Sequence, residues 1–282
     1  MTGGDSPFRY CLNTSTVAGQ NLDVLAEIEL AAEAGYDGIE LWIRSLHRYL
    51  DQGGGLDRVR RRAEQLGVVI ENGIGFADWI VDDPTHRRAG LGEIERDMGM
   101  LAELGCRRIA APPAGATDTT IPNEIVGERF AEVQAIGDRL GVTPQLEMWG
   151  ASATLGSLAD LIDAAAGTGR SDVRLLLDVY HLYRGGSDLH DMRRTDGAAF
   201  EIVHLNDIPP NVAPEQLSDA DRVFPGDGVA PIEILLRALA EERRSTVLSL
   251  ELFNRAQWLR PASEVAAHGL ETMRACAQRA LL

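Results

Sequence analysis

Four segments in the second half of the chain each end on a metal-type ligand: TPQLE (Thr143–Glu147), VRLLLD (Val173–Asp178), FEIVH (Phe200–His204) and TVLSLE (Thr246–Glu251). Each is a short apolar run followed by a polar loop. If the four lie parallel, their C-terminal ends share one face, and three carboxylates and an imidazole converge there. Carboxylates packed that closely repel one another, and a divalent cation is the usual remedy. A single strand-end acid could as well cap a helix or pair with Arg. Four at equivalent positions in successive units point to one divalent ion held by Glu147, Asp178, His204 and Glu251. An oxygen-rich set with one imidazole suits Mn²⁺ first, with Mg²⁺, Co²⁺ and Zn²⁺ behind it.

Other polar residues fall near the same ends. His181 stands three residues past Asp178 in DVYHLYRGG, and Asp207 three past His204 in HLND. His181 is either a satisfied loop histidine or a hydrogen-bond partner and proton carrier for substrate. Asp207 either orients a ligand from behind or caps the next turn. Asn13 and Glu40 end the first two strand-like runs and are expected to face the pocket, although Glu40, close to Arg44, could be structural. Trp42, Phe76, Trp79, Trp149, Tyr180 and Phe253 also lie near strand ends, some as walls for a sugar-like substrate and the rest as core. A divalent ion chelated by a ketone and the adjacent hydroxyl acidifies the C–H between them, so that proton transfer passes through an enediolate. Glu147 and Glu251 come from non-adjacent strands and are the expected proton-transfer pair. Expulsion of a β-substituent at the same site would make the chain a dehydratase or lyase.

The elements that must position these residues alternate from end to end. Further strand signals cover Arg9–Asn13, Gly38–Leu41, Val68–Asn72 and Arg108–Ala111. Helical periodicity covers Leu22–Ala34, Leu56–Leu66, His86–Leu104 and Asn123–Leu140, each closed by Gly. EAGYDGIEL, EQLGVVIEN, AELGCRRIA and DRLGVTPQLE repeat one tight helix-to-strand turn. The pattern predicts an α/β fold, a (β/α)8 barrel forming a single domain over residues 1–282, in preference to an open doubly wound sheet. The long segment Asp207–Ala230, with Pro209-Pro210 and PGDG, is expected to form an active-site wall.

Composition excludes several functions. All 27 basic residues are Arg, so Schiff-base, pyridoxal-phosphate and Walker-type chemistry, which need Lys, are ruled out. A net charge of −16 argues against nucleic-acid or anionic-membrane partners, and Arg58–Arg62 reads as a solvated helix face. Cys11, Cys106 and Cys276 show no CxxC spacing and read as buried thiols of a reducing compartment. With no leader and no membrane-length apolar run, a cytoplasmic protein is expected, and the Asn13-Thr14-Ser15 sequon has no role. Homo-oligomerisation is left open.

LDVYHLYRGGSD (Leu177–Asp188), IVHLND (Ile202–Asp207), SDADRVFPGDG (Ser218–Gly228) and SLELFN (Ser249–Asn254) carry a family resemblance. The chain resembles the xylose-isomerase-like barrels, in the sugar phosphate isomerase/epimerase branch, and within it the inosose (2-keto-myo-inositol) isomerase type. The likeness runs from CLNTST at Cys11 to SLELF. It implies metal ligation by Glu147, Asp178, His204 and Glu251, a family histidine at His181, and a family arginine, Arg222, near the pocket mouth. The implied activity is isomerisation or epimerisation of a keto-sugar or keto-inositol, with a dehydratase or lyase acting on a keto-inositol or 3-keto-glycoside as the alternative. Where epimerases of free ketohexoses carry an Arg past the His ligand, this chain runs into Asp207-Ile208-Pro209-Pro210, which disfavours that activity. Nucleases of this fold need a histidine-rich three-zinc site; here only His181 and His204, with His47 a marginal third, approach the rim.

Overall fold

Parallel strands close into a barrel in sequence order: β1 Phe8–Asn13, β2 Gly38–Trp42, β3 Val69–Ile74, β4 Arg108–Ala111, β5 Thr143–Glu147, β6 Arg174–Asp178, β7 Phe200–Leu205 and β8 Thr246–Leu250. The ring shuts where Leu12 of β1 pairs with Leu250 of β8. The computed structural model describes residues 6–196, 199–241 and 245–282. Residues 1–5, 197–198 and 242–244, which the single-domain span of 1–282 takes in, lie outside the described residues. The barrel matches the expected (β/α)8 fold, and strand boundaries differ from the sequence reading by a residue or two. Glu251 is the first residue beyond β8 rather than its last, so its side chain stands at the rim.

The main outer helices are α1 Val24–Ala34, α2 Ile43–Asp51, α3 Leu56–Leu66, α4 Pro84–Glu103, α5 Asn123–Leu140, α6 Leu158–Gly167, α7 Val179–Arg184, α8 Ile232–Glu241, α9 Arg255–Trp258 and α10 Ala262–Ala280. Caps account for the shifted starts. Asp23 accepts from Ala26 N, so α1 begins at Val24 rather than Leu22. Asp83 accepts from His86 N with Pro84 at the first helical position, so α4 begins before His86. The repeated turn is a glycine C-cap: Gly35 and Gly67 adopt φ of 86° and 70°, where a Cβ would be strained. The short α2, α7 and α9 were not legible as helices; each follows a strand at the functional end.

Most of the apolar core lies between strands and helices, where Ile28, Leu101, Phe130 and Met273 are fully buried. A second apolar layer, Cys11, Ala110, Leu176, Ile202 and Val247, fills the barrel interior. Leu176 and Ile202 sit two residues before Asp178 and His204, so strand alternation points those pairs inward together. The opposite end of the barrel is tied by an arginine–carboxylate chain. Arg9 pairs with Glu71 at 2.9 Å, Arg108 with Glu71 and Glu201 at 3.1 and 2.7 Å, and Arg174 with Glu201 at 2.8 Å. Polar chemistry is thus separated from structural charge by an apolar plug.

The basic run on α3 is neutralised locally: Arg60 and Arg61 pair with Asp57, and Arg62 with Glu29. All three cysteines are buried and free. Among the described residues no helix is long and apolar enough to cross a membrane.

Candidate metal centre

The rim end of the barrel gathers Glu147 from β5, Asp178 from β6, His204 from β7 and Glu251 just past β8, each 5% exposed or less. His204 Nδ1 lies 3.2 Å from Glu251 Oε2, 3.7 Å from Asp178 Oδ2 and 3.9 Å from Glu147 Oε1. One ligand atom each from Asp178, His204 and Glu251 can be drawn within 4.8 Å of one another, and so can one each from Glu147, Asp178 and His181. Asp178 joins the two groups. The structure therefore brings the four expected ligands together and adds His181 to their edge.

His204 is fixed from behind. Its Nε2 is 3.3 Å from Glu40 Oε1 and 3.2 Å from Oε2. A carboxylate only accepts, so Nε2 carries a proton and Nδ1 is turned toward the three carboxylates. Nδ1 is buried without an aligned hydrogen-bond partner. Burial alone would lower this imidazole, but the Glu251 and Glu40 carboxylates raise it well above its usual range. Nδ1 thus takes either a proton or a cation in its place. That orphaned nitrogen, set among buried carboxylates, fits a divalent ion.

Each carboxylate is held differently. Asp178 accepts from Tyr180 N at 2.7 Å, Asn206 Nδ2 at 3.0 Å and Arg222 Nη1 at 2.6 Å. Burial opposes its ionisation, yet Arg222 and the nearby imidazoles hold it well below the usual carboxylate range. Glu251 accepts from Asn13 Nδ2 at 3.0 Å and Arg222 Nη1 at 2.6 Å, and burial raises it. Burial pushes Glu147 up to about 8. Burial likewise pushes His181 down to about 4, and its Nδ1 accepts from Gly150 N at 3.3 Å.

Of the expected substrate contacts, Arg222 lines the cavity but from deep within it, while Asn13, Glu40 and Asp207 fall elsewhere. Arg222 is 2% exposed, not at the mouth, and stacks between Tyr180 and Phe253 at 4.4 and 5.0 Å while bridging Asp178 and Glu251. Asn13 and Glu40 are fully buried behind Glu251 and His204, so they brace the site rather than line it. Asp207 faces away from the cavity. Its carboxylate accepts from Ile208, Gly226, Gly228 and Ala230 N–H groups and pins the loop after β7. His47 points at Asp97, 3.5 Å away. Sequence reasoning missed Asn72 and Ser249, which donate to Glu40, and Asn206. Ser249 could have been found, since it lies two residues before Glu251 on the same strand face.

The cavity over the site measures ≈ 680 Å³ and is lined by Trp42, Phe76, Trp149, Tyr180 and Phe253 around His181, Arg222 and the glutamates. Trp149 therefore stands where expected. Trp79, fully buried, donates to Pro112 O and belongs to the core. A more apolar cavity of ≈ 370 Å³ behind α7 has neither carboxylate nor imidazole in its lining.

Residues 28–276 match the family model described as the xylose isomerase-like TIM barrel. The chain belongs to this family. It is 27% identical over 273 residues to the inosose isomerase of Bacillus velezensis, spanning 95% of this chain and 96% of that one. It is 25% identical to a 3-dehydroshikimate dehydratase of Pseudomonas putida, over 88% of this chain but 39% of the longer relative. The crystal structure of the IOLI protein with a bound zinc atom superposes with a TM-score of 0.89 at 24% identity, covering 96% of this chain and 98% of that one. The family's isomerases and dehydratases support an enzymatic role.

Proposed function

We propose that this chain is a divalent-metal-dependent isomerase or epimerase of a keto-polyol of the inosose class, working by proton transfer beside a carbonyl. The observation that carries the reading is His204 Nδ1, buried, unpartnered and aimed at three carboxylates on the open end of the barrel. Glu147, Asp178, His204 and Glu251 would hold the ion, with Mn²⁺ the first choice from the oxygen-rich donor set. When bound, such an ion polarises a carbonyl and the adjacent hydroxyl and acidifies the C–H between them. Glu147 and Glu251 reach the cavity from strands three apart, so one takes the proton from carbon and the other returns one to the neighbouring atom. His181 is neutral at pH 7 with Nδ1 engaged, leaving Nε2–H to donate to a substrate hydroxyl. Arg222, locked by Asp178 and Glu251, puts a fixed positive charge beside oxygen that gains charge during the reaction. The aromatic wall covers the C–H face of the ring and keeps water out.

The dehydratase relative favours a second reading, in which the returned proton goes to a departing β-substituent. Incubation with inosose and Mn²⁺ in D₂O, followed by NMR, separates the two: deuterium enters recovered substrate and isomer in the first, an unsaturated product forms in the second. Glu147→Gln and Glu251→Gln should each slow turnover by roughly 10²–10⁴-fold, and His181→Ala should mainly raise KM. Normal turnover in both glutamine variants with an inactive His181→Ala would move the base to His181.

A further inference from the structure

Glu147, Asp178 and His181 form a second possible ligand group beside that of Asp178, His204 and Glu251, and in each the donor atoms lie within 4.8 Å of one another. Two carboxylates and an imidazole suit a divalent ion as well in one group as in the other. Asp178 belongs to both, so the rim has acids enough for two ions. The number it takes turns on whether His181 has a lone pair to give, because a ligating imidazole nitrogen must be free of a proton.

The loop after β5 takes that lone pair. Gly150 N donates to His181 Nδ1 at 3.3 Å, and a ring that accepts at one nitrogen carries its proton on the other. Nδ1 is engaged and Nε2 is protonated, so neither offers a lone pair to an ion. Ligation through Nε2 would send the proton to Nδ1 and set one N–H against another. The contact is held by close backbone packing. A Cβ on Gly150 would fall 2.3 Å from His181 O and 2.6 Å from Gly185 N, and one on Gly185 would fall 2.2 Å from Gly156 O. Neither glycine has a positive φ, so close approach is what requires them. The helix side is fixed too, since His181 O accepts from Gly185 N at 2.9 Å. On the loop side, buried Leu155 sits at φ 54°, a conformation that a bulky residue rarely adopts, and its O accepts from Trp149 N at 3.0 Å. Such strain persists only where the surroundings over-determine it.

We propose that Gly150 is a positioning residue whose N–H locks the tautomer of His181, keeping this imidazole out of the ligand set so that the centre holds one divalent ion. This rests on the four-ligand centre of the proposed function and adds what keeps Nε2–H free for substrate. Nitrogen NMR of the ¹⁵N-labelled full chain reads the tautomer directly, with the His181 signals assigned by their loss in His181→Gln. Wild type should show the Nε2–H form alone, with and without Zn²⁺, and calorimetric titration with Zn²⁺ should give one tight site. Gly150→Ala should bring in the Nδ1–H form and a second Zn²⁺ site, which His181→Gln in the same chain removes. Gly185→Ala pushes the loop away from its other side and should do the same if Gly150→Ala does not fold. An Nδ1–H signal from wild-type His181, or a second wild-type Zn²⁺ that His181→Gln removes, would overturn the proposal whether or not the variants fold. So would a folded Gly150→Ala protein that keeps the single tautomer, or that loses it and still binds one ion. A one-ion protein with the Nε2–H form that fails to turn over inosose under any divalent metal would leave the lock standing and sink the proposed reaction.

Discussion

Glu40 sets the orientation of His204, and Glu40→Gln isolates that effect. The carboxylate accepts from Asn13 Nδ2 at 3.1 Å, from Asn72 Nδ2 at 2.9 Å and from Ser249 Oγ, and it holds His204 Nε2 at 3.2–3.3 Å. Glutamine keeps the volume and one oxygen, which can serve Asn13 and Ser249. Its new N–H₂ meets Asn72, whose Oδ1 is buried and unpartnered and becomes the acceptor when the amide turns over. The net loss is one charge-assisted bond to His204, worth about 1.5–3 kcal/mol, or roughly 3–5 °C in Tm for a chain of this size. Freed of its anchor, the imidazole also gains the other tautomer and a less basic Nδ1. Loss of such an outer partner costs about 10–100-fold in metal affinity. Competition with a chromogenic chelator for Mn²⁺ and Zn²⁺, run beside thermal melts, measures both quantities. A folded Glu40→Gln protein that binds either ion within threefold of wild type would refute the reasoning, because His204 would then be oriented by something other than Glu40.

Metal affinity should depend on pH. Glu147 in the metal-free protein holds its proton up to about 8 and the His204 imidazole is raised well above its usual range, so ion binding expels both protons, and affinity should rise by at least about tenfold per pH unit from 6 to 8; affinity that is flat from 6 to 8 would contradict this. The same group has a folded value raised above its ordinary 4.5, so its stabilising effect is complete below 4.5 and is lost as pH rises to about 8. Metal-free protein should therefore melt lower at pH 8.5 than at pH 6, and added Mn²⁺ should reverse the difference; a metal-free Tm that rises over that interval would show that another group dominates. Asp207→Ala strips the acceptor from four backbone N–H groups and should cost at least about 3 kcal/mol in denaturant unfolding, where a change under 1 kcal/mol would mean water replaces the carboxylate. Gly228→Ala would drive a Cβ into Ile208 O and the Asp207 carboxylate, and should destabilise by about 1–3 kcal/mol in the same assay; wild-type stability would show that the loop yields.

The barrel, and the residues that gather at its rim, were legible in the sequence because both depend on local pattern. Period-2 alternation brings Glu147, Asp178, His204 and Glu251 to within one residue of the ends of four strands, and glycines such as Gly35 and Gly67 mark the return to the next strand. Parallel strands in one ring can only bring such ends to one face. Roles that depend on side-chain direction beyond the strand, or on partners far along the chain, were decided by tertiary structure. Asn13 and Glu40 were expected to meet substrate, but Glu251 and His204, 238 and 164 residues away, draw them into hydrogen bonds behind the ligands. Asp207 was placed at the rim by its spacing from His204, yet the returning PGDG loop offers it backbone N–H groups that outcompete the cavity. Arg222, on a loop with no periodicity, is carried inward because only a buried cation can bridge Asp178 and Glu251. Spacing along the chain selects which residues arrive at the rim, and the charges and orphaned donors they find there decide what each one does.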